Sequence, residues 1–240
     1  MGKRGTKPQQ QVSIIWSSEL AYAVGLIATD GHLSKDGRHI DLTSKDLQLI
    51  ETFQKCLGLG HIKIGSKLSG YSKKRYLRIQ FGDVHFYQWL NRIGLTSKKS
   101  RTIKSVKVPR RLFPDFVRGC FDGDGTIYSF WDRRWADSFM FYIAFASGSK
   151  EFLLWLQKKL NALLEINGHI SVSNHDTFQL RYAKSESLIL FQFMFYVRNL
   201  PHLEGKFVKA QEIFTEHHNV VRRNKLARVV KPGKHASLRG

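Results

Sequence analysis

Two stretches of the chain share one pattern of apolar and acidic residues, and this duplication most constrains the fold. "AVGLIATDGHL" covers residues 23 to 33, and "VRGCFDGDGTI" covers residues 117 to 127. In each, a glycine inside an apolar run precedes an Asp-Gly pair: Gly25 precedes Asp30, and Gly119 precedes Asp124. Because the skeleton recurs at a fixed offset, it predicts two copies of one structural unit.

Each copy predicts a helix that is apolar almost all round. The first follows serines that can cap a helix, and the second begins at Pro114, which suits a first helical turn. Such helices must be buried on most faces. Gly25 and Gly119 each cost about 1 kcal/mol of helix propensity, which a close approach of two backbones would justify. We therefore expect the helices to pack about a pseudo-twofold axis, with Asp30 and Asp124 side by side.

Two neighbouring carboxylates predict a metal site. Like charges resist ionising together, and a divalent cation resolves that conflict. Oxygen ligands without sulfur or a histidine pair favour Mg²⁺, here bound by Asp30 and Asp124 with the backbone around Ala28, Thr29 and Gly123 as further ligands. Such an ion keeps positions open for water and phosphate, as phosphodiester cleavage requires. An EF-hand loop would need further acids, and a plain turn would not explain the recurrence.

The charge of the chain indicates its partner. Lys and Arg number 39 against 19 acidic residues, a net charge of +20. Such an excess predicts a nucleic acid partner, with a generically basic protein or an anionic membrane surface as the alternatives. The longest apolar run, "LAYAVGLIA", is too short to span a bilayer, and no apolar segment follows the basic N-terminus as in a secretory signal. Cys56 and Cys120 lie in apolar segments, which favours reduced core residues and a reducing compartment.

The order of elements after each motif is the same: two strands, a helix, two strands and a short helix. This predicts a mixed α/β (α+β) fold of two pseudo-symmetric αββαββα repeats, with antiparallel DNA-binding sheets and the motif helices at the interface. The expected organisation is a basic tail at 1–13, a first repeat at 14–95, a linker at 96–111, a second repeat at 112–217 and a basic tail at 218–240.

The predicted strands alternate apolar and polar residues, so each sheet has one face for its helices and one hydrogen-bonding face. Antiparallel ribbons of this kind suit the major groove, where Arg and Gln read purine edges. The candidate DNA contacts on the polar faces are His39, Asp41, Thr43, Tyr76, Arg78, Gln80, Gln179 and Arg181. Those assigned to phosphate or loop contacts are Lys63, Lys67, Lys73, Lys74, Arg75, Arg133 and Arg134. An ordinary solvated sheet face is the alternative for any single one.

At these residues the chain resembles the LAGLIDADG homing endonucleases. "YAVGLIATDG" and "FVRGCFDGDG" are similar to the two signature helices of that family, and the repeat order matches over about residues 14 to 217. The resemblance implies cleavage of long, pseudo-palindromic double-stranded DNA sites with short 3′ overhangs, in service of a mobile intron or intein-like element. It implies Mg²⁺ as the cofactor, with Mn²⁺ or Ca²⁺ as substitutes and Ca²⁺ as a non-catalytic one.

Two motifs in one chain imply a monomer with no obligate protein partner and no membrane. The resemblance places it inside the cell, in a bacterial or archaeal cytoplasm or in an organelle. It also carries the metal-ligand role onto Asp30 and Asp124. The earlier acid of the motif is Ala28 in the first copy and Asp122 in the second, and this position is usually not the metal ligand.

The resemblance further implies a catalytic lysine before the closing helix of each repeat. The candidates are Lys98 or Lys99, of which we favour Lys99, and Lys206. A lysine there lowers the pKa of the attacking water or stabilises charge on the phosphorane, while a phosphate-contacting or solvated lysine is the alternative. Ser44 and Ser149 occupy the place of a polar residue that orders water, although they are shorter than the glutamine often found there.

Two other functions fit the same fold. One is an RNA-binding maturase that assists intron splicing, and the other is a DNA-binding regulator that has lost catalysis. A regulator of that kind should have lost one of the two acids, whereas Asp30 and Asp124 are both intact. The prediction is therefore a metal-dependent DNA endonuclease.

Overall fold

The computed structural model describes residues 10–68, 74–134, 138–173 and 177–230. The first repeat begins with the expected helix, which Ser17 caps by accepting a hydrogen bond from the Leu20 amide. Its elements are α1 Ser18–Thr29, β1 Gly31–Leu33, β2 His39–Ser44, α2 Leu47–Cys56, β3 Gly65–Leu68, β4 Arg75–Gly82 and α3 Val84–Ile93.

The second repeat follows a connection that holds the short helix α4, Lys99–Thr102. Pro114 lies in the first turn of the second motif helix, as its fixed φ favours. The elements of this repeat are α5 Phe113–Asp122, β5 Gly125–Trp131, β6 Phe139–Ser147, α6 Lys150–Leu164, β7 His169–Val172, β8 Phe178–Ala183 and α7 Lys184–Met194. A last helix, α8, spans Glu204–Val230.

The two sheets have the same topology. The strand order is β1-β2-β4-β3 in the first and β5-β6-β8-β7 in the second, and the neighbouring strands in both are antiparallel. The predicted mixed α/β fold of two αββαββα repeats is therefore confirmed. The helices cover one face of each sheet, where alternate strand residues such as Ile79, Phe81, Ile143 and Leu180 are buried.

The registers also establish which residues of the two sheets are equivalent. Gly31 pairs with Leu42 in the first sheet, and Gly125 pairs with Phe145 in the second. Continuing across β4 and β8, Gln80 of the first sheet corresponds to Arg181 of the second, and Arg78 corresponds to Gln179. Arg78 and Arg181 therefore lie on the outer faces of their own sheets at positions that are not equivalent.

Parts of both expected tails are structured. Gln11 and Val12 donate their backbone amides to the Asp83 carboxylate, and Val12 is buried. Helix α8 continues past residue 217, the predicted end of the second repeat, into the predicted C-terminal tail. Residues 1–9 and 231–240 lie outside the described part of the chain.

In the described part of the chain, no helix is both long and apolar enough to cross a membrane. Cys56 is half-buried and Cys120 is buried, and both are free thiols, as their apolar surroundings predicted.

Candidate active site and nucleic-acid interface

The motif helices α1 and α5 approach each other at their glycines. A Cβ added to Gly25 would lie 2.3 Å from the carbonyl oxygen of Phe116, and one added to Gly119 would lie 2.1 Å from that of Tyr22. Any residue larger than glycine would therefore collide with the backbone of the facing helix. This contact explains why two helices tolerate a residue that costs helix propensity, and it fixes the helix ends relative to each other.

Asp30 and Asp124 lie together at the ends of this helix pair. Burial, then the charge of Asp124, raises the pKa of Asp30 to about 6, against the partly compensating charges of Lys206 and Lys99. Asp30 is half-buried, whereas the Asp124 residue as a whole is exposed. The surroundings of the Asp124 carboxyl are nevertheless dense enough that burial raises its pKa as well. Each carboxyl lies near enough to the other to affect its pKa.

Lys99 reaches the end of the first motif helix, and Lys98 does not. The ammonium group of Lys99 donates to the carbonyl oxygens of Ala28 and Thr29, both at 3.0 Å. Lys99 is buried, which lowers its pKa to about 8, while Asp124 and Asp30 act to raise it. Lys98 is exposed. A cation at this position satisfies carbonyls that the helix leaves without an internal partner.

Lys206 holds the end of the second motif helix in the same way. Its ammonium group donates to the carbonyl oxygens of Phe121, Asp122, Gly123 and Gly125 at 2.6 to 2.9 Å. Burial lowers the pKa of Lys206, and the nearby acids oppose that shift. The backbone carbonyls predicted as further metal ligands, those of Ala28, Thr29 and Gly123, therefore already accept hydrogen bonds from lysines.

The earlier acid of the second motif, Asp122, makes hydrogen bonds inside the protein. Asp122 is buried and accepts hydrogen bonds from the Tyr22 hydroxyl and from the Leu203 amide, each at 2.8 Å. Burial raises the pKa of Asp122 to about 6. Through Leu203 this carboxyl joins the motif helices to the segment that leads into α8. Ala28, at the corresponding place in the first motif, has no such group.

The two serines assigned to water ordering are both engaged with the backbone. The Ser149 hydroxyl is buried, donates to the carbonyl oxygen of Ile103 and accepts from the Phe152 amide as the cap of α6. The Ser44 hydroxyl accepts from the Asp46 amide at 3.1 Å. Their role in ordering water remains a prediction.

The outer face of the first sheet carries the predicted polar side chains, but Asp41 is not free on it. Asp41 is 4% exposed and accepts a hydrogen bond from the Arg78 guanidinium at 2.9 Å. His39, Thr43 and Tyr76 are half-buried, and Gln80 is exposed. Asp41 therefore contributes to this face by orienting Arg78.

The outer face of the second sheet carries different side chains from the outer face of the first. Arg181 lies opposite Ala144 on β6, so the acid that pairs with arginine in the first sheet has no counterpart there. Gln179 and Arg181 are half-buried. Beside them the same face carries aromatic rings from β5 and β6, which the sequence analysis did not assign to the interface.

The residues assigned to phosphate or loop contacts lie at the strand ends and turns. Lys63, Lys67, Lys74, Arg75, Arg133 and Arg134 are all exposed. Arg134 pairs with Asp132 at 2.8 Å within its own turn. Lys73 lies outside the described residues. Exposure of this kind leaves the cationic ends able to contact a phosphate backbone.

Helix α5 contains a buried ion pair that was not predicted from the sequence. Arg118 donates to the Asp115 carboxylate at 2.7 Å and to the carbonyl oxygens of Met194 and Pro201 at 2.7 and 2.8 Å. Asp115 also accepts from the Ser18 hydroxyl, at the start of α1. The pair thus links both motif helices to the segment before α8. Asp115 and Arg118 are three residues apart, but the contacts that hold them in the interior come from Ser18, Met194 and Pro201, which are distant in sequence.

The donor set at the helix ends fits a divalent cation. No cluster of three or more His, Cys, Asp and Glu side chains occurs within the described ranges, so the candidate ligands are the two aspartates. Burial and mutual repulsion disfavour charge on Asp30 and Asp124, and a hard cation relieves both penalties. Such an ion keeps most of its coordination positions for water and phosphate.

Comparison with known proteins finds a family model that matches part of the chain. A family sequence model described as a LAGLIDADG-like domain matches residues 17–82, which span α1 to β4. The first repeat is therefore similar in sequence to a LAGLIDADG-like domain. The expected resemblance is confirmed. No curated protein sequence gives a significant match to the chain.

Solved structures of two kinds share the fold. The homing endonuclease I-WcaI bound to its DNA recognition sequence is 13% identical, with a TM-score of 0.57 over 82% of this chain and 93% of that one. Full-length DUF199/WhiA from Thermatoga maritima is 17% identical, with a TM-score of 0.53 over 90% of this chain and 69% of that one. The N-terminal LAGLIDADG domain of DUF199/WhiA is 19% identical, with a TM-score of 0.51 over 78% of this chain and 86% of that one. At these identities the likeness concerns the fold.

Proposed function

We propose that the protein is a site-specific double-stranded DNA endonuclease that hydrolyses phosphodiester bonds with a divalent metal ion, and that it initiates mobility of a host intron or intein-like element. The observation that carries this proposal is the convergence of Asp30 and Asp124 at the ends of two helices held together by glycines. A purely structural helix pair has no need for two acids whose charges destabilise each other.

The chemistry follows from the groups at this point. Asp30 and Asp124 would hold Mg²⁺, which supplies a Lewis acid to activate water and neutralise phosphate charge. Lys99 and Lys206 fix the two helix ends through the backbone carbonyls, so the carboxylates keep their spacing. Their positive charges, close to both acids, stabilise the anionic transition state of the phosphoryl group.

The DNA partner is supported by the charge and shape of the two sheets. Each repeat has an outer sheet face without helices, and exposed cations lie at the strand ends around it. With a net charge of +20, both faces are suited to a duplex whose two half-sites lie against the two repeats. The fold of I-WcaI, a homing endonuclease bound to DNA, supports the same arrangement.

The competing functions are a DNA-binding protein without cleavage and an RNA-binding maturase. The fold alone does not separate the first from a nuclease, because DUF199/WhiA shares it as well as the homing endonuclease I-WcaI. Retention of both acids and of a lysine at each helix end favours the nuclease over this alternative. A maturase would bind its intron RNA and would not need to cleave DNA.

The test is cleavage of a randomised duplex DNA library by the purified chain with Mg²⁺. We expect enrichment of one long target with ends produced by double-strand cleavage, and no products in EDTA. The matched control is Glu212→Gln, which removes one exposed acid on α8, away from the helix ends, and should cleave like the wild type. Binding of a selected target without cleavage would favour the regulator instead.

A further inference from the structure

The hairpin of β5 and β6 presents a row of aromatic and apolar side chains on the outer face of the second sheet. Tyr128 pairs with Tyr142 across the two strands, and Phe130 pairs with Met140. The opposite face of the same strands is the buried one, with Ile127 and Phe141 in the core. Phe130 is 44% exposed, although a large ring on a monomeric protein surface is costly to leave in water.

The three rings form an aromatic ladder, which we define as Tyr128, Tyr142 and Phe130. Tyr142 stacks on Tyr128 with ring centroids 5.5 Å apart and an interplanar angle of 19°, and on Phe130 at 6.1 Å and 8°. Tyr142 thus stacks with both of the other rings, and Tyr128 and Phe130 each stack with Tyr142. A ring stacked on a neighbour has less of its face open to an unpaired base, so the ladder suits contact along its ring edges better than base stacking.

The first sheet has no such ladder at the equivalent positions. The register places His39 where the second sheet has Tyr142, and Asp41 where it has Ala144. The first sheet therefore faces its partner with groups that donate and accept hydrogen bonds. The hairpin of the second sheet faces the partner with aromatic rings, of which Tyr128 and Tyr142 also carry a hydroxyl group, next to Gln179 and Arg181 on β8.

We propose that the aromatic ladder reads thymine methyl groups in the half-site that lies against the second sheet. In the major groove, the C5-methyl of thymine is the feature that an apolar side chain recognises, whereas the other base edges call for hydrogen bonds. The inference rests on the proposed DNA-cleaving function. It adds that the two half-sites are read by different chemistry, despite the pseudo-twofold symmetry of the protein.

The surroundings of the ladder favour DNA as its occupant. Arg133 and Arg134 are exposed at the turn of the same hairpin, where a duplex in contact with the ladder would present its phosphates. Arg181 lies on the same outer face, and no ion pair to it occurs within the described residues. An apolar strip bordered by cations suits a groove floor flanked by phosphates better than it suits an apolar protein surface.

The experiment replaces thymine by deoxyuracil, which removes only the methyl group, in one half-site of the selected target at a time. Binding is measured in Ca²⁺, so that cleavage does not interfere. We expect about a fourfold loss of affinity for each contacted methyl in one half-site, and less than a twofold change in the other. The same substitutions are then measured with Phe130→Ala and Phe130→Leu.

Phe130→Ala should abolish the discrimination between thymine and deoxyuracil in that half-site, and Phe130→Leu should retain part of it. The control is Trp131→Ala, the next residue along β5, which is 49% exposed but packs against Phe139 on the other side of the sheet. This variant should discriminate like the wild type.

Specific binding without any deoxyuracil effect, or an effect that persists unchanged in Phe130→Ala, would overturn the inference and leave the nuclease proposal standing. Failure to select any duplex target would instead refute the proposed function itself, and the inference with it.

Discussion

The contact between the two motif helices can be tested by adding a single methyl group. In Gly119→Ala the new Cβ would lie 2.1 Å from the carbonyl oxygen of Tyr22 and 3.0 Å from the Cα of Gly25. Backbone atoms, unlike the end of a flexible side chain, cannot turn away. Helix α5 must therefore move away from α1 by about 1 Å, and a gap of this size already forfeits a quarter to a half of each contact across the interface.

The expected destabilisation is about 3 kcal/mol, at the upper end of what overpacking usually costs. For a chain of this length, that corresponds to a fall of roughly 6–12 °C in the melting temperature. Thermal and urea unfolding monitored by circular dichroism measure the change.

The control is Gly205→Ala in α8, where a Cβ would meet nothing within 4 Å. The same substitution there should stabilise the protein by about 0.4–1 kcal/mol, because alanine restricts the unfolded chain. If Gly119→Ala unfolds within about 1 kcal/mol of the wild type, the helices do not pack through their glycines as described, and the placement of the two aspartates loses its support.

Three further predictions concern charge, readout and assembly. In metal-free buffer, Asp30→Asn should raise the melting temperature at pH 8 but not at pH 4. The pKa of Asp30 is about 6 in the folded protein and 3.8 in the unfolded chain, so the wild type loses stability as pH rises from 3.8 through 6. Asparagine does not ionise, so the variant avoids this loss. Arg181→Ala and Arg78→Ala should each relax specificity at one base pair of one half-site by about 1–3 kcal/mol, whereas Lys74→Ala should weaken binding to all sequences; a uniform loss for the arginine variants would mean that they contact phosphate. Sedimentation should give a monomer at all concentrations, and a concentration-independent dimer mass would contradict the pairing of α1 with α5 within one chain.

The parts of the fold that sequence predicts are those with local and repeated signals. The Asp-Gly ends of two apolar helices, each with an internal glycine, were enough to place Gly25, Gly119, Asp30 and Asp124 at one interface. Strand alternation predicted the two faces of each sheet, because side chains point to opposite sides with a period of two.

The remaining features depend on contacts between distant parts of the chain. Lys206 reaches carbonyls more than 80 residues earlier, and Arg118 holds the segment before α8; no local pattern announces either contact. Strand alternation places Asp41 on the outer face of the first sheet, which predicts an exposed side chain. However, β2 lies between β1 and β4, and the Arg78 side chain on β4 covers the Asp41 carboxylate. The periodicity of α8 is weak because its apolar residues do not fall on one side, so its length was not foreseen.

The most direct test of the central claim is cleavage of the selected target by Asp30→Asn and by Asp124→Asn, with binding measured in Ca²⁺. Neither variant should produce double-strand breaks in Mg²⁺, because each removes one of the two carboxylates that would hold the ion. Both should bind the target within about threefold of the wild type, since neither aspartate is needed for folding or for the sheet faces. Wild-type cleavage by either variant, or loss of target binding in both, would contradict the central claim.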